Sequence, residues 1–111
     1  MEDLKIAERV EEMIEYGYQA VRHFPKSERH VLSQEIRLSM WRLMRLVIVC
    51  SKRYHKKTTL QDLDAELELL RRQVRLAKTL GVLPFKKYET WSRYLDEIGR
   101  MVGGWIKRSK G

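Results

Sequence analysis

TLQDLDAELELLRRQVRLAKTLG, residues 59–81, decides the fold class of this chain. Leu60, Leu63, Leu67, Leu70, Val74 and Ala77 recur at alternating steps of three and four, the period of a helix with one apolar face. Thr59 stands where an N-cap belongs, and Asp62 and Asp64 complement the helix dipole in the first turn. Gly81 occupies the C′ position, where a left-handed backbone closes a helix. The pattern predicts a helix over 60–80.

The same spacing continues on both sides. Upstream, Ile36, Met40, Leu43, Val47, Cys50 and Tyr54 define a helix over 28–54, with Ser27 as its N-cap. Before it, Ile6, Val10, Met13, Gly17, Ala20 and Phe24 define a helix over 3–23, ended by Pro25 because the residue before a proline leaves helical geometry. Downstream of Pro84, a helix over 85–108 carries Tyr88, Trp91, Leu95, Ile98, Val102 and Trp105. Strand-like alternation is absent. Four amphipathic segments joined by short connections predict an all-α protein, an antiparallel up-down-up-down four-helix bundle forming one domain over 1–111.

The net charge of +8 favours a polyanionic partner, and it is unevenly placed. Residues 1–23 carry three basic and six acidic side chains, whereas residues 24–57 carry nine basic and two acidic. Residues 58–80 balance, and residues 81–111 carry seven basic against three acidic. With the core of the last helix at heptad positions a and d, Lys86, Arg93, Arg100 and Lys107 all fall at f, the outermost position. The ridge they form rises about 31 Å, close to a duplex turn of roughly 34 Å. A second group, Lys52, Arg53, Lys56 and Lys57 with His55, crowds the end of the second helix, and Lys107, Arg108 and Lys110 are expected at the same end of the bundle. A third, Arg71, Arg72, Arg75 and Lys78, covers the later half of the third helix. Some of this charge suits helix C-termini, and a basic face also serves solubility. The Lys52–Lys57 run exceeds what capping requires, so RNA or DNA phosphate contacts, salt-dependent and largely blind to sequence, are the expected mode. Tyr54 lies among these cations and has two readings: the last member of its core stripe, or a platform for a base.

Helix two carries more apolar surface than one core consumes. Leu38, Trp41, Met44, Leu46 and Ile48 extend beyond its stripe, so a second burial partner, another copy of the chain, is expected. Gly99 and Gly103, four apart, would let a neighbouring backbone approach, although Gly103-Gly104 also suits a kink before the tail. The alternative is that the apolar residues thicken a single core.

Catalytic and metal-binding patterns are missing. No Glu is followed by His three residues later, as di-iron bundles require. His23, His30 and His55 show no metal-ligand spacing, and no phosphate-cradling loop or nucleophile elbow occurs. Cys50, the single cysteine, falls on a core position as an inert thiol. The expectation is a non-enzyme without metal, cofactor or small-molecule substrate. The opening Met1-Glu2-Asp3-Leu4-Lys5 has no leader-like character and no apolar run is long enough to span a bilayer, so a cytoplasmic protein without membrane contact is expected.

The ending EIGRMVGGWIK, residues 97–107, after three helices of these lengths, resembles the accessory variability determinant (Avd) proteins of diversity-generating retroelements. They belong to a wider four-helix-bundle family that includes proteins encoded in 23S rRNA intervening sequences. The resemblance spans nearly the whole chain in helix layout and is motif-like only at the end. It implies a homopentameric barrel that binds template RNA or DNA and contacts the retroelement reverse transcriptase during mutagenic retrohoming, without a catalytic centre. It supplies no binding-residue motif, so the residues named above rest on charge alone. Two other roles fit the same chain: an intervening-sequence protein associated with rRNA or the ribosome, and a scaffold binding an acidic protein.

Overall fold

The computed structural model describes residues 2–110, with side chains from Leu4 to Ser109. The described residues form four α-helices: α1 (Glu2–Val21), α2 (Leu32–Lys52), α3 (Lys57–Thr79) and α4 (Phe85–Lys110), with a short 3-10 turn at Lys26–Glu28 between the first two. No strand occurs among the described residues. Each helix packs on its sequence neighbours and α4 returns to α1. The body measures 46 × 23 × 19 Å.

The predicted stripes are the core. Ile6, Val10, Met13, Ala20 and Phe24 from α1 and its end meet Ile36, Met40, Leu43, Val47 and Cys50 from α2, all buried. Leu60, Leu63, Leu67, Leu70, Val74 and Ala77 of α3 and Trp91, Leu95, Ile98, Val102 and Trp105 of α4 complete it. Ile14, Val21 and Leu83 are buried beside them, off the predicted stripes. Gly17 is required by packing: a Cβ there would stand 2.5 Å from Met40 Sδ and 2.9 Å from Trp91 Cζ2. α1, α2 and α4 therefore close on one another where this residue has no side chain.

The end of α3 forms as expected. Gly81 has φ +80, its N–H donates to Lys78 O at 3.0 Å, and Val82 N–H donates to Ala77 O at 3.0 Å. These two bonds satisfy carbonyls that the helix end would leave orphaned, and they are the Schellman pattern.

Three local expectations are corrected. Helix α2 begins at Leu32, with Val31 before it and no side-chain cap. Ser27 instead sits in the 3-10 turn Lys26–Glu28 that follows Pro25. Helix α3 begins at Lys57, so Thr59 is inside the first turn. It is buried, and its hydroxyl oxygen accepts from Arg53 Nη1 at 3.0 Å. Tyr54 is not core: α2 stops at Lys52, and the tyrosine is 91% exposed in the connection.

Candidate nucleic-acid interface

Helix α4 turns its aromatic and aliphatic stripe inward, and the residue opposite that stripe is held in water by the same geometry. Lys86, Arg93, Arg100 and Lys107 are all exposed, and none belongs to a described ion pair. Two acids on the same helix are drawn sideways instead. Asp96 Oδ1 accepts from Arg71 Nη1 of α3 at 2.6 Å, and Glu97 Oε1 pairs with Arg9 Nε of α1 at 2.6 Å. The neighbouring helices thus take up these two carboxylates; the third acid of α4, Glu89, is exposed between Lys86 and Arg93 and is in no described ion pair.

These cross-helix contacts also give direction. Along α1 and α4, Arg9 meets Glu97 while Tyr16 meets Trp91 and Tyr94. Along α3 and α4, Leu67 lies by Gly99, Arg71 by Asp96 and Lys78 by Tyr88. In both pairs the numbers run oppositely.

The later half of α3 divides its cations. Arg71, half-buried, also donates to Leu95 O at 3.2 Å. Arg72 Nε donates to Glu68 Oε2 at 2.8 Å, and that hydrogen bond, helped by the charges of Arg72, Arg71 and Arg75, holds the Glu68 carboxyl below the ordinary carboxylate range. Lys78 Nζ lies 4.5 Å above the Tyr88 ring, a cation–π contact. Arg75 is exposed and outside the described ion pairs. With Tyr88 and Ser92, these arginines line a cleft of about 270 Å³ between α3 and α4.

The connection between α2 and α3 separates two structural cations from two uncommitted ones. Lys56 Nζ donates to Cys50 O and to Arg53 O, each at 2.6 Å, closing the carbonyl end of α2. Arg53 is tied to Thr59. Lys52 and Lys57 are exposed with no described ion pair. Lys57, Gln61, Ile106 and Ser109 line one cleft, so the exposed Lys107 and Arg108 stand at this same end. Lys110 carries no described side chain.

The outer side of α2 exposes large apolar residues beside Arg42 and Arg45. Leu38, Trp41 and Ile48 are 41%, 54% and 46% exposed, while Met44 and Leu46 lean on the core. Leu38, Trp41, Met44 and Ile48 line a groove bordered by Arg42 and Arg45. Trp41 Nε1 donates to Tyr18 Oη of α1 at 2.7 Å, which fixes the indole on the surface. The two glycines expected at an interface differ. A Cβ at Gly99 would run into Arg71 Nη2 and lie 3.6 Å from Leu67 Cδ2, so this gap is filled from α3 of the same chain. Gly103 is exposed and has open space around it.

The pairs Arg9–Glu97 and Arg71–Asp96 were not legible beforehand, because heptad positions place a charge at a helix edge without naming its partner. Among the described residues no three His, Cys, Asp or Glu side chains gather as a metal site, and no helix is long and apolar enough to cross a membrane. Residues 4–109 match the model of the family described as bAvd-like. No curated protein matches the chain.

Proposed function

Because the chain belongs to the bAvd-like family, we propose that it is a non-catalytic, nucleic-acid-binding accessory protein of a diversity-generating retroelement. Its helices run up-down-up-down, in keeping with the opposed contacts along α1/α4 and α3/α4. Copies assemble through the outer face of α2 into a homo-oligomer, a pentameric barrel by family likeness. The assembly works in the cytoplasm, holding template RNA or DNA and docking the reverse transcriptase.

The observation that carries this reading is the α4 ridge. Four cations at seven-residue spacing, with Asp96 and Glu97 drawn away by other helices, present a line of positive charge about 31 Å long. One turn of duplex rises roughly 34 Å, close to that length, and each phosphate contact releases a condensed counterion. Assembly multiplies such weak contacts by raising their effective concentration.

The test replaces Lys86, Arg93, Arg100 and Lys107 together by Gln and follows binding of structured RNA and duplex DNA by fluorescence anisotropy at 50 mM salt. The expected result is a loss of at least about tenfold on both ligands with unchanged helicity, since each phosphate contact adds to the salt-dependent term. Equal affinities for the variant and the parent protein would overturn the ridge as the binding face.

A further inference from the structure

Tyr54 is the most exposed large side chain among the hydrophobic residues described, at 91%. An aromatic ring used for folding buries about 150–250 Å²; this one buries almost none, so the fold gains little from it. The segment that presents it is nonetheless held firmly. Arg53 N–H donates to Val49 O at 3.1 Å and Cys50 O at 3.3 Å. Lys56 donates back to Cys50 O and Arg53 O, and the Arg53 guanidinium is fixed to the buried Thr59. Contacts before and after Tyr54 therefore stiffen the connection, while its described ring contact is with His55, perpendicular at 4.8 Å. Lys52 and Lys57 flank it, exposed and outside the described ion pairs.

We propose that Tyr54 is a stacking platform for an unpaired base, with Lys52 and Lys57 taking the adjoining phosphates, so that this end of the bundle selects single-stranded nucleic acid. The assignment rests on the nucleic-acid reading above and adds to it the form of nucleic acid preferred. A base inside a duplex already stacks on its neighbours and offers the ring no free face. An unpaired base does, and any of the four fits because each has a π-face. Holding the backbone that carries the ring in advance lowers part of the ordering cost of binding. The α4 ridge, by contrast, contacts phosphates whether the strand is paired or not.

The experiment compares an RNA duplex carrying a single-stranded tail with the same duplex blunt at both ends, which offers no unpaired base. Affinities are measured by anisotropy at one salt concentration for the parent protein, Tyr54→Ala and Tyr54→Trp. The parent protein is expected to prefer the tailed RNA. Tyr54→Ala loses about 5- to 150-fold on the tailed RNA and nothing on the blunt duplex, the range one stacked base supplies. Tyr54→Trp keeps the preference, and both variants melt with the parent because position 54 is in water. No preference for the tail, or a preference that survives Tyr54→Ala, overturns the stacking site while the ridge reading stands. A parent protein that binds neither RNA at low salt overturns both.

Discussion

The outer faces of α2 and α4 are built on one period and differ in chemistry. Both helices bury an a/d stripe in the same core, and both expose residues at helical spacing on the far side. On α2 those residues include Leu38, Trp41 and Ile48, with Arg42 and Arg45 among them; on α4 they include Lys86, Arg93, Arg100 and Lys107. The inward half of a helix answers to packing, so the two inner stripes look alike. The outward half is free of that demand and records what meets the helix from outside. An apolar outer face asks for another protein surface, and a cationic one asks for a polyanion.

The largest effect expected is one that breaks both faces together. Trp91 is wholly buried, edge-on to Tyr16 and against the notch at Gly17. Trp91→Ala should cost about 3–5 kcal/mol, read as a lower urea midpoint; a midpoint within error of the parent would show that the core is not shared. A change confined to α2 should separate the faces. Trp41→Glu is expected to reduce the mass in solution from a multiple of 13.4 kDa to a single chain, with helicity kept. Duplex affinity should fall by up to roughly 10²–10⁴-fold as multivalency is lost. An unchanged oligomer would place the contact elsewhere.

The smallest effect sharpens the boundary between structural and free cations. Glu68 titrates below its ordinary range because Arg72 hydrogen-bonds it. A depressed carboxylate stabilises the fold above the unfolded-state pKa of about 4.3, and that contribution disappears as pH falls through the lower folded-state value. NMR titration should find the Glu68 midpoint below that of a free glutamate, and Arg72→Gln should bring it back up. A midpoint already at the ordinary value in the parent would mean the pair does not form in solution.

The inner half of the molecule was readable in advance because periodicity and burial are the same fact for an amphipathic helix. Leu60 to Ala77 and Trp91 to Trp105 fall where their spacing puts them. Exposure of the α4 ridge was readable for the same reason. Tyr54 was not, since a stripe says which face a residue shares only while the helix lasts. Lys56 folds back on Cys50 O and Arg53 O, the chain leaves the helix before Tyr54, and the spacing loses its meaning there. The roles of the basic residues were equally hidden. Lys56 and Lys57 are adjacent lysines, yet one closes a helix end and the other stands in water. Composition cannot separate them; only the position of nearby carbonyls does. Gly99 shows the same limit, its missing side chain accommodating Arg71 of the same chain.

The measurement that bears most directly on the account is the affinity for duplex DNA as a function of salt, from 50 to 200 mM. Four ridge contacts predict a line of log affinity against log salt with a slope of about −3.6 or steeper. A slope near zero, or no binding at 50 mM, would contradict it.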